Sequence, residues 1–175
     1  MTDLATFNAL SSEDARAMVL GWCHCPNLAG DVAAQRPFLT ITDLNTVCVT
    51  RWQQASAAEI SEALAAHPLI GDVKLLKSKF SATADAQVST AFAEQGQVLK
   101  ASDHTLNELA RLNVEYKQRH GFIFIVFAKH LTADEMLEAI RARIGNITAD
   151  EFAQAAAEQT KILQARIATT FGIEA

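Results

Sequence analysis

The chain has 175 residues, 20 Asp and Glu against 15 Lys and Arg, a net charge of −5, and 50% hydrophobic residues. That is enough chain and enough apolar content for one domain with a sizeable core, residues 1–175 being read as a single domain. The acidic balance without a basic stripe argues against a nucleic-acid partner, and no apolar run reaches the roughly 20 residues of a membrane span.

Seven Gly and three Pro among abundant Ala and Leu suit helices, so the expected fold class is all-α, with about eight mostly short helices. The start of the chain, Met1 to Asn8, has no basic stretch leading into an apolar core, which predicts a soluble, unexported, cytoplasmic protein. In chain order, helices are expected over Ser12 to His24 and Asp43 to Gln53, with a short turn over Gly30 to Gln35 and with Pro26 and Pro37 flanking loops. Ser56 to Glu59 has capping-box spacing and opens the next helix. A short turn near Val73 to Phe80 and helices over Asp85 to Leu99 and His104 to Arg119 follow. Two further capping boxes, Thr132 to Glu135 and Thr148 to Glu151, open the last two helices, the first ending at Gly145-Asn146 and the second running to about Thr170.

The segment Gly121 to Ala128 breaks this rhythm with apolar, aromatic and β-branched residues, and periodicity does not decide between a strand-like piece and a helical turn. Standing alone among helices, its backbone groups need partners other than a sheet, and a polar ligand lying against that backbone is one way to supply them.

Polar residues on apolar stripes are the candidates for function. Ile60, Ala63, Leu64 and His67 share one helical face, and Pro68 with Gly71 ends the helix there, so His67 faces inward at a helix C-terminus. The partial negative charge of that end favours a protonated imidazole. The blander alternative is a buried histidine hydrogen-bonded to a neighbour. Gln95 lies on the stripe of Val88, Phe92 and Leu99 with Glu94 to its side, and Asn113 shares a face with Leu106, Leu109, Ala110 and Tyr116. An inward amide is either tied to backbone or lines a polar pocket, and Asn113 is read as a helix-to-helix hydrogen bond. His120 is read as charge complementing a helix dipole, and His104 and His130 as surface loop residues.

Cys23-His24-Cys25 lacks the spacing and the second ligand pair of a structural zinc site, and with Cys48 it is read as a set of reduced, buried thiols. There is no glycine-rich phosphate loop, Gly-x-Ser-x-Gly elbow or His-Glu-x-x-His, so no metal and no organic cofactor is expected.

Ala66-His67-Pro68-Leu69-Ile70-Gly71-Asp72, then Ala93-Glu94-Gln95, then Leu112-Asn113-x-x-Tyr116 followed by Gly121 to Val126, resemble the 2-oxo-4-hydroxy-4-carboxy-5-ureidoimidazoline (OHCU) decarboxylases of urate degradation. The likeness extends to Phe7-Asn8-Ala9-Leu10, Arg36-Pro37-Phe38, Asp134-Glu135-Met136-Leu137, Arg141, Arg143 and Gly145-Asn146. The resemblance implies an all-α, homodimeric, cofactor-free lyase that converts this small ureidoimidazoline to (S)-allantoin. On that pattern His67 is the catalytic acid, paired with Glu94, and Glu94 and Gln95 position the substrate. Pro68 borders the pocket, the backbone of Phe124, Ile125, Val126, Phe127 and Ala128 contacts substrate, and Arg166 fits a late-helix arginine. The chain departs from many relatives at Ala91, where a serine is common, at Phe127, where a cysteine is common, and in a longer stretch between Asp72 and Glu94. Those departures bear on contacts to the ureido end of the substrate. Two other readings stay open: a non-catalytic helical interaction module, and a diverged decarboxylase of another ureido or hydantoin acid.

Overall fold

Residues 2–67, 103–129 and 131–173 are described by a computed structural model, and among them every regular element is an α-helix, as the composition predicts. Contacts group the chain into two units, Met1–His67 with Ala153–Ala175, and Pro68–Phe152.

The first unit contains α1 (Leu4–Ala9), α2 (Ser12–Cys23), α3 (Pro26–Ala34), α4 (Ile41–Gln53), α5 (Ala57–Ala65) and the greater part of the last helix, α8 (Thr148–Phe171). Local chemistry sets most of the starts. Ser11 Oγ accepts from the Asp14 N–H at 3.1 Å, and Thr40 with Asp43 and Ser56 with Glu59 form complete capping boxes. Two elements differ from the sequence reading. The short α1, capped by Asp3, was not expected, and α3 begins at Pro26 instead of near Gly30. Proline at a first helical position lacks only an N–H that has no intrahelical acceptor, so Pro26 opens a helix where a loop was expected.

Phe7, Trp22, Leu44, Trp52, Leu163 and Ile167 form the centre of this unit's core. Both indole N–H groups are satisfied, Trp22 donating to Thr170 Oγ1 at 2.9 Å and Trp52 to the Ala156 carbonyl at 3.0 Å. Arg36 closes the end of α1: its Nη1 donates to the carbonyls of Leu10 at 2.7 Å and Phe7 at 3.0 Å, with its guanidinium 5.7 Å from the Phe7 ring. Arg36→Met keeps the apolar stem but strands those carbonyls. The expected loss is about 2 kcal/mol, read as a lower urea midpoint at unchanged slope; an unchanged midpoint would show that the contacts carry no net stability.

The second unit contains α6 (Asp103–His120), α7 (Ala133–Arg143) and the first turn of α8. Leu106, Leu109, Leu112, Tyr116, Phe124, Met136 and Ile140 form its core. Gly121, at φ 82°, ends α6 with its N–H on the Lys117 carbonyl at 2.9 Å, a left-handed position that glycine occupies without penalty. Asn113 is buried, but its amide donates to Leu109 in its own helix at 2.8 Å rather than to another helix. The i−4 carbonyl lies directly beneath it, so the shortest bond is the local one. His104 is exposed as expected, though within α6 instead of a loop; His130 lies outside the described residues.

The capping box expected at Thr148 does not form. Its Glu151 is buried and bonded elsewhere, and the Thr148 hydroxyl meets Nδ1 of His120 at 3.1 Å. His120 itself is buried, at the C-terminus of α6. Its Nε2 lies 3.2 Å from the Ile144 carbonyl, which can only accept, so that nitrogen carries a proton. No helix of the described residues is long and apolar enough to cross a membrane.

Candidate active site

The predicted site residues of the first unit gather where α2 and α5 end. The α5 capping box at Ser56 starts a nine-residue helix, and His67 follows directly after its C-cap Ala66, with its N–H on the Leu64 carbonyl at 3.2 Å. His67 is half-buried, as the apolar stripe predicts, and its Nε2 is a buried atom with no hydrogen bond among the described residues. His24 takes a left-handed conformation at φ 53° as the C-cap of α2, which sets its ring edge-on to that of His67 with centroids 5.1 Å apart. Such a conformation costs a non-glycine residue about 1–2 kcal/mol and is held here by the His24 N–H on the Leu20 carbonyl at 2.8 Å.

Arg166, on α8, donates through Nη1 to the carbonyls of Gly21 at 3.2 Å and Trp22 at 3.1 Å. It thereby satisfies the acceptors that end α2 and places a cation beside both histidines. This overturns the expectation of a protonated His67. Burial, then Arg166, then His24 lower its pKa from the ordinary 6.5 to about 4. The half-charge of a helix end is outweighed by desolvation and a full guanidinium charge, so the imidazole is neutral at neutral pH. The sign for stability follows, because the folded chain binds this proton more weakly than the unfolded chain. The contribution is complete above pH 6.5 and is lost as pH falls toward about 4.

Cys23, Cys25 and Cys48 are free and buried, and burial raises the thiol of Cys23 to about 11 and of Cys48 to about 12, so both are inert thiols. Among the described residues no three His, Cys, Asp or Glu side chains converge as metal ligands.

In the second unit, Phe124 to Ala128 has no regular secondary structure, so the segment is neither strand nor helix. One of its backbone groups finds a partner in Arg143: Nη1 donates to the Ile125 carbonyl at 2.9 Å, and the guanidinium lies 4.7 Å from the Phe124 ring. Arg143 is in turn held by Glu151, with Nε at 3.0 Å and Nη2 at 2.9 Å from Oε2. Glu151 also accepts from Tyr116 Oη at 2.5 Å and from Asn146 Nδ2 at 2.8 Å. Burial pushes the Glu151 carboxyl up, yet Arg143, Tyr116 and Asn146 together hold it below its ordinary value. The Tyr116 ring meets Phe124 edge-on at 5.2 Å, so one network grips this segment by a carbonyl and by a ring.

The structure brings together His67 and Arg166, and separately orders Phe124 to Ala128; Pro68, Ala91, Glu94 and Gln95 lie outside the described residues. Sequence reasoning missed His24 and Gln159. Gln159 was discoverable, since Ala155, Gln159, Leu163 and Ile167 form one buried stripe of α8 at four-residue spacing.

Comparison with known proteins accords with this arrangement. Residues 8–168 match the family described as OHCU decarboxylase. The chain is 36% identical over 169 residues to the uric acid degradation bifunctional protein TTL of Arabidopsis thaliana, covering 94% of this chain but only 45% of that protein. It is 26% identical over 151 residues to 2-oxo-4-hydroxy-4-carboxy-5-ureidoimidazoline decarboxylase of Haloferax volcanii, covering 86% of this chain and 84% of that one. It also resembles the crystal structure of OHCU decarboxylase in the presence of (S)-allantoin, at a TM-score of 0.69 and 30% identity over 93% of this chain and 99% of that one. With a match that runs through both units and includes the inward-facing histidine, the chain belongs to the OHCU decarboxylase family.

Proposed function

We propose that the chain decarboxylates OHCU to (S)-allantoin, with His67 as the proton-transfer residue. The observation that carries this is a half-buried imidazole kept neutral beside a fixed cation, in a chain of this family.

The substrate holds its own electron sink, a ring C=N next to the carbon that bears hydroxyl and carboxylate. When the bond to the carboxylate breaks, its electron pair forms a ring C=C, and the imine pair moves to nitrogen, which takes a proton. The hydroxyl then loses its proton and the adjacent carbon gains one, so solvent supplies one proton net. A neutral His67 suits the first half of that exchange as a base and, once protonated, the second as an acid. The face that His67 meets sets the configuration of the product.

Glu94 is assigned to act with His67 in the proton transfers, and Gln95, Pro68 and Ala91 to line the ring's surroundings. The backbone of Phe124, Ile125, Val126, Phe127 and Ala128 is assigned to polar substrate groups. That segment suits the role because its backbone is not used in a sheet or helix and Arg143 anchors the Ile125 carbonyl. Arg166 is assigned to an anionic or ureido group; Nη1 already holds α2, which makes it a pre-positioned rather than a mobile cation. Two copies working as a homodimer in the cytoplasm complete the proposal, and a single sedimentation boundary at twice the chain mass tests the dimer.

The decisive assay follows circular dichroism while preceding enzymes oxidise urate to fresh OHCU. Rapid appearance of one allantoin enantiomer only with the protein present is the expected result. Slow racemic product at the same rate with and without it would overturn the proposal and favour a diverged substrate or a binding module.

A further inference from the structure

We infer that Gln159 is a positioning residue for His67: it holds the ring proton on Nε2, so that Nδ1 is the nitrogen offered to the reacting group. Gln159 lies in the middle of α8 with no exposed surface. Its amide has two functions, and one is spent: Nε2 donates to the Cys23 carbonyl at 3.3 Å, which fixes the orientation of the group. The carbonyl oxygen is the atom left without a partner: Oε1 is buried with no hydrogen bond among the described residues. His67 Nε2 is another such atom, and the Gln159 amide lies beside the His67 ring, where it favours the ring's protonated form.

A buried amide oxygen without a donor costs about 1–3 kcal/mol, and a buried ring nitrogen without a partner costs a similar amount. One Nε2–H to Oε1 bond removes both penalties. The Cys23 bond prevents the amide from turning to present its NH2 group instead, so the pair works in one direction only. A neutral imidazole with its proton on Nε2 has its lone pair on Nδ1. Among the described residues the titratable and charged groups around this ring are Arg166 from α8, which has no acceptor to offer, and the His24 imidazole from the end of α2; both oppose a second proton on His67.

The kinetic consequence rests on the decarboxylase reading, but the tautomer itself can be read without substrate. The experiment uses the full chain labelled with 15N-histidine, with His67 resonances assigned by comparison with His67→Asn. Above pH 6.5, wild-type His67 is expected to show Nε2 protonated and Nδ1 bare. In Gln159→Met, of similar volume but without an acceptor, the tautomers are expected to mix, and kcat to fall about 10- to 100-fold with KM unchanged. Gln159→Glu retains the acceptor and adds a negative charge. It is expected to restore the Nε2–H form and to move the protonation midpoint of His67 upward, a shift that a purely packing role for Gln159 would not produce. The same tautomer ratio in wild type and Gln159→Met, or an unmoved midpoint in Gln159→Glu, would overturn the inference. Should Gln159→Met fail to fold, the midpoint in Gln159→Glu decides alone. A wild-type protein without OHCU turnover would sink the decarboxylase reading while leaving the tautomer comparison to decide the role of Gln159.

Discussion

Replacing His67 by asparagine is expected to lower kcat by about 10²- to 10⁴-fold, the range that a well-placed general acid–base group supplies, with the melting temperature held or raised. Stability should survive because His67 is half-buried and the folded state already disfavours its charged form. What turnover remains should give racemic allantoin, since the proton would then arrive from water on either face. Wild-type activity should hold below the ordinary imidazole value of 6.5 and fall only as pH approaches about 4, because protonation removes the base. That acidic limb should be absent from the residual rate of His67→Asn. A variant that kept wild-type kcat and a single enantiomer would remove His67 from the mechanism.

Arg143→Met is expected to lose about 3–5 kcal/mol of stability, because it removes the cation that neutralises the buried Glu151 carboxylate. The carboxylate is 1% exposed and would be left with Tyr116 and Asn146 as its donors, while the Ile125 carbonyl would lose its bond from Arg143. Urea unfolding with the Arg143→Met, Glu151→Leu and double variants checks this. The double variant should recover part of the loss, since removing both partners leaves no buried charge unpaired. Acid sensitivity follows with a definite sign. Glu151 titrates below its ordinary 4.5 in the folded chain, so its contribution is complete above that pH and is lost as pH falls through the lowered value. In Arg143→Met the acid-unfolding midpoint should move to higher pH. If the network also orients the substrate-facing backbone, the variant should raise KM for OHCU under conditions where it is fully folded.

Helix-forming content and most helix starts were legible in the sequence by itself because their causes are local. Ser56 with Glu59 and Thr132 with Glu135 satisfy backbone donors within four residues, and the apolar stripes at Ile60 to His67 and Leu106 to Tyr116 mark inward faces through a fixed periodicity. The ordered motifs around His67 and Asn113 were likewise enough to identify the family. Tertiary structure decided the rest wherever a polar group had a choice of partners. Glu151 has the spacing of a capping residue, yet Arg143 and Tyr116, arriving from other helices, offer a buried carboxylate more than one exposed N–H can. His67 sits at a helix end that favours its charged form, yet desolvation and Arg166, brought in from 99 positions along the chain, reverse that preference. Short-range hydrogen bonds and periodicity are written in neighbouring residues, whereas charge state and partner choice depend on burial and on groups that become neighbours only when the chain has folded.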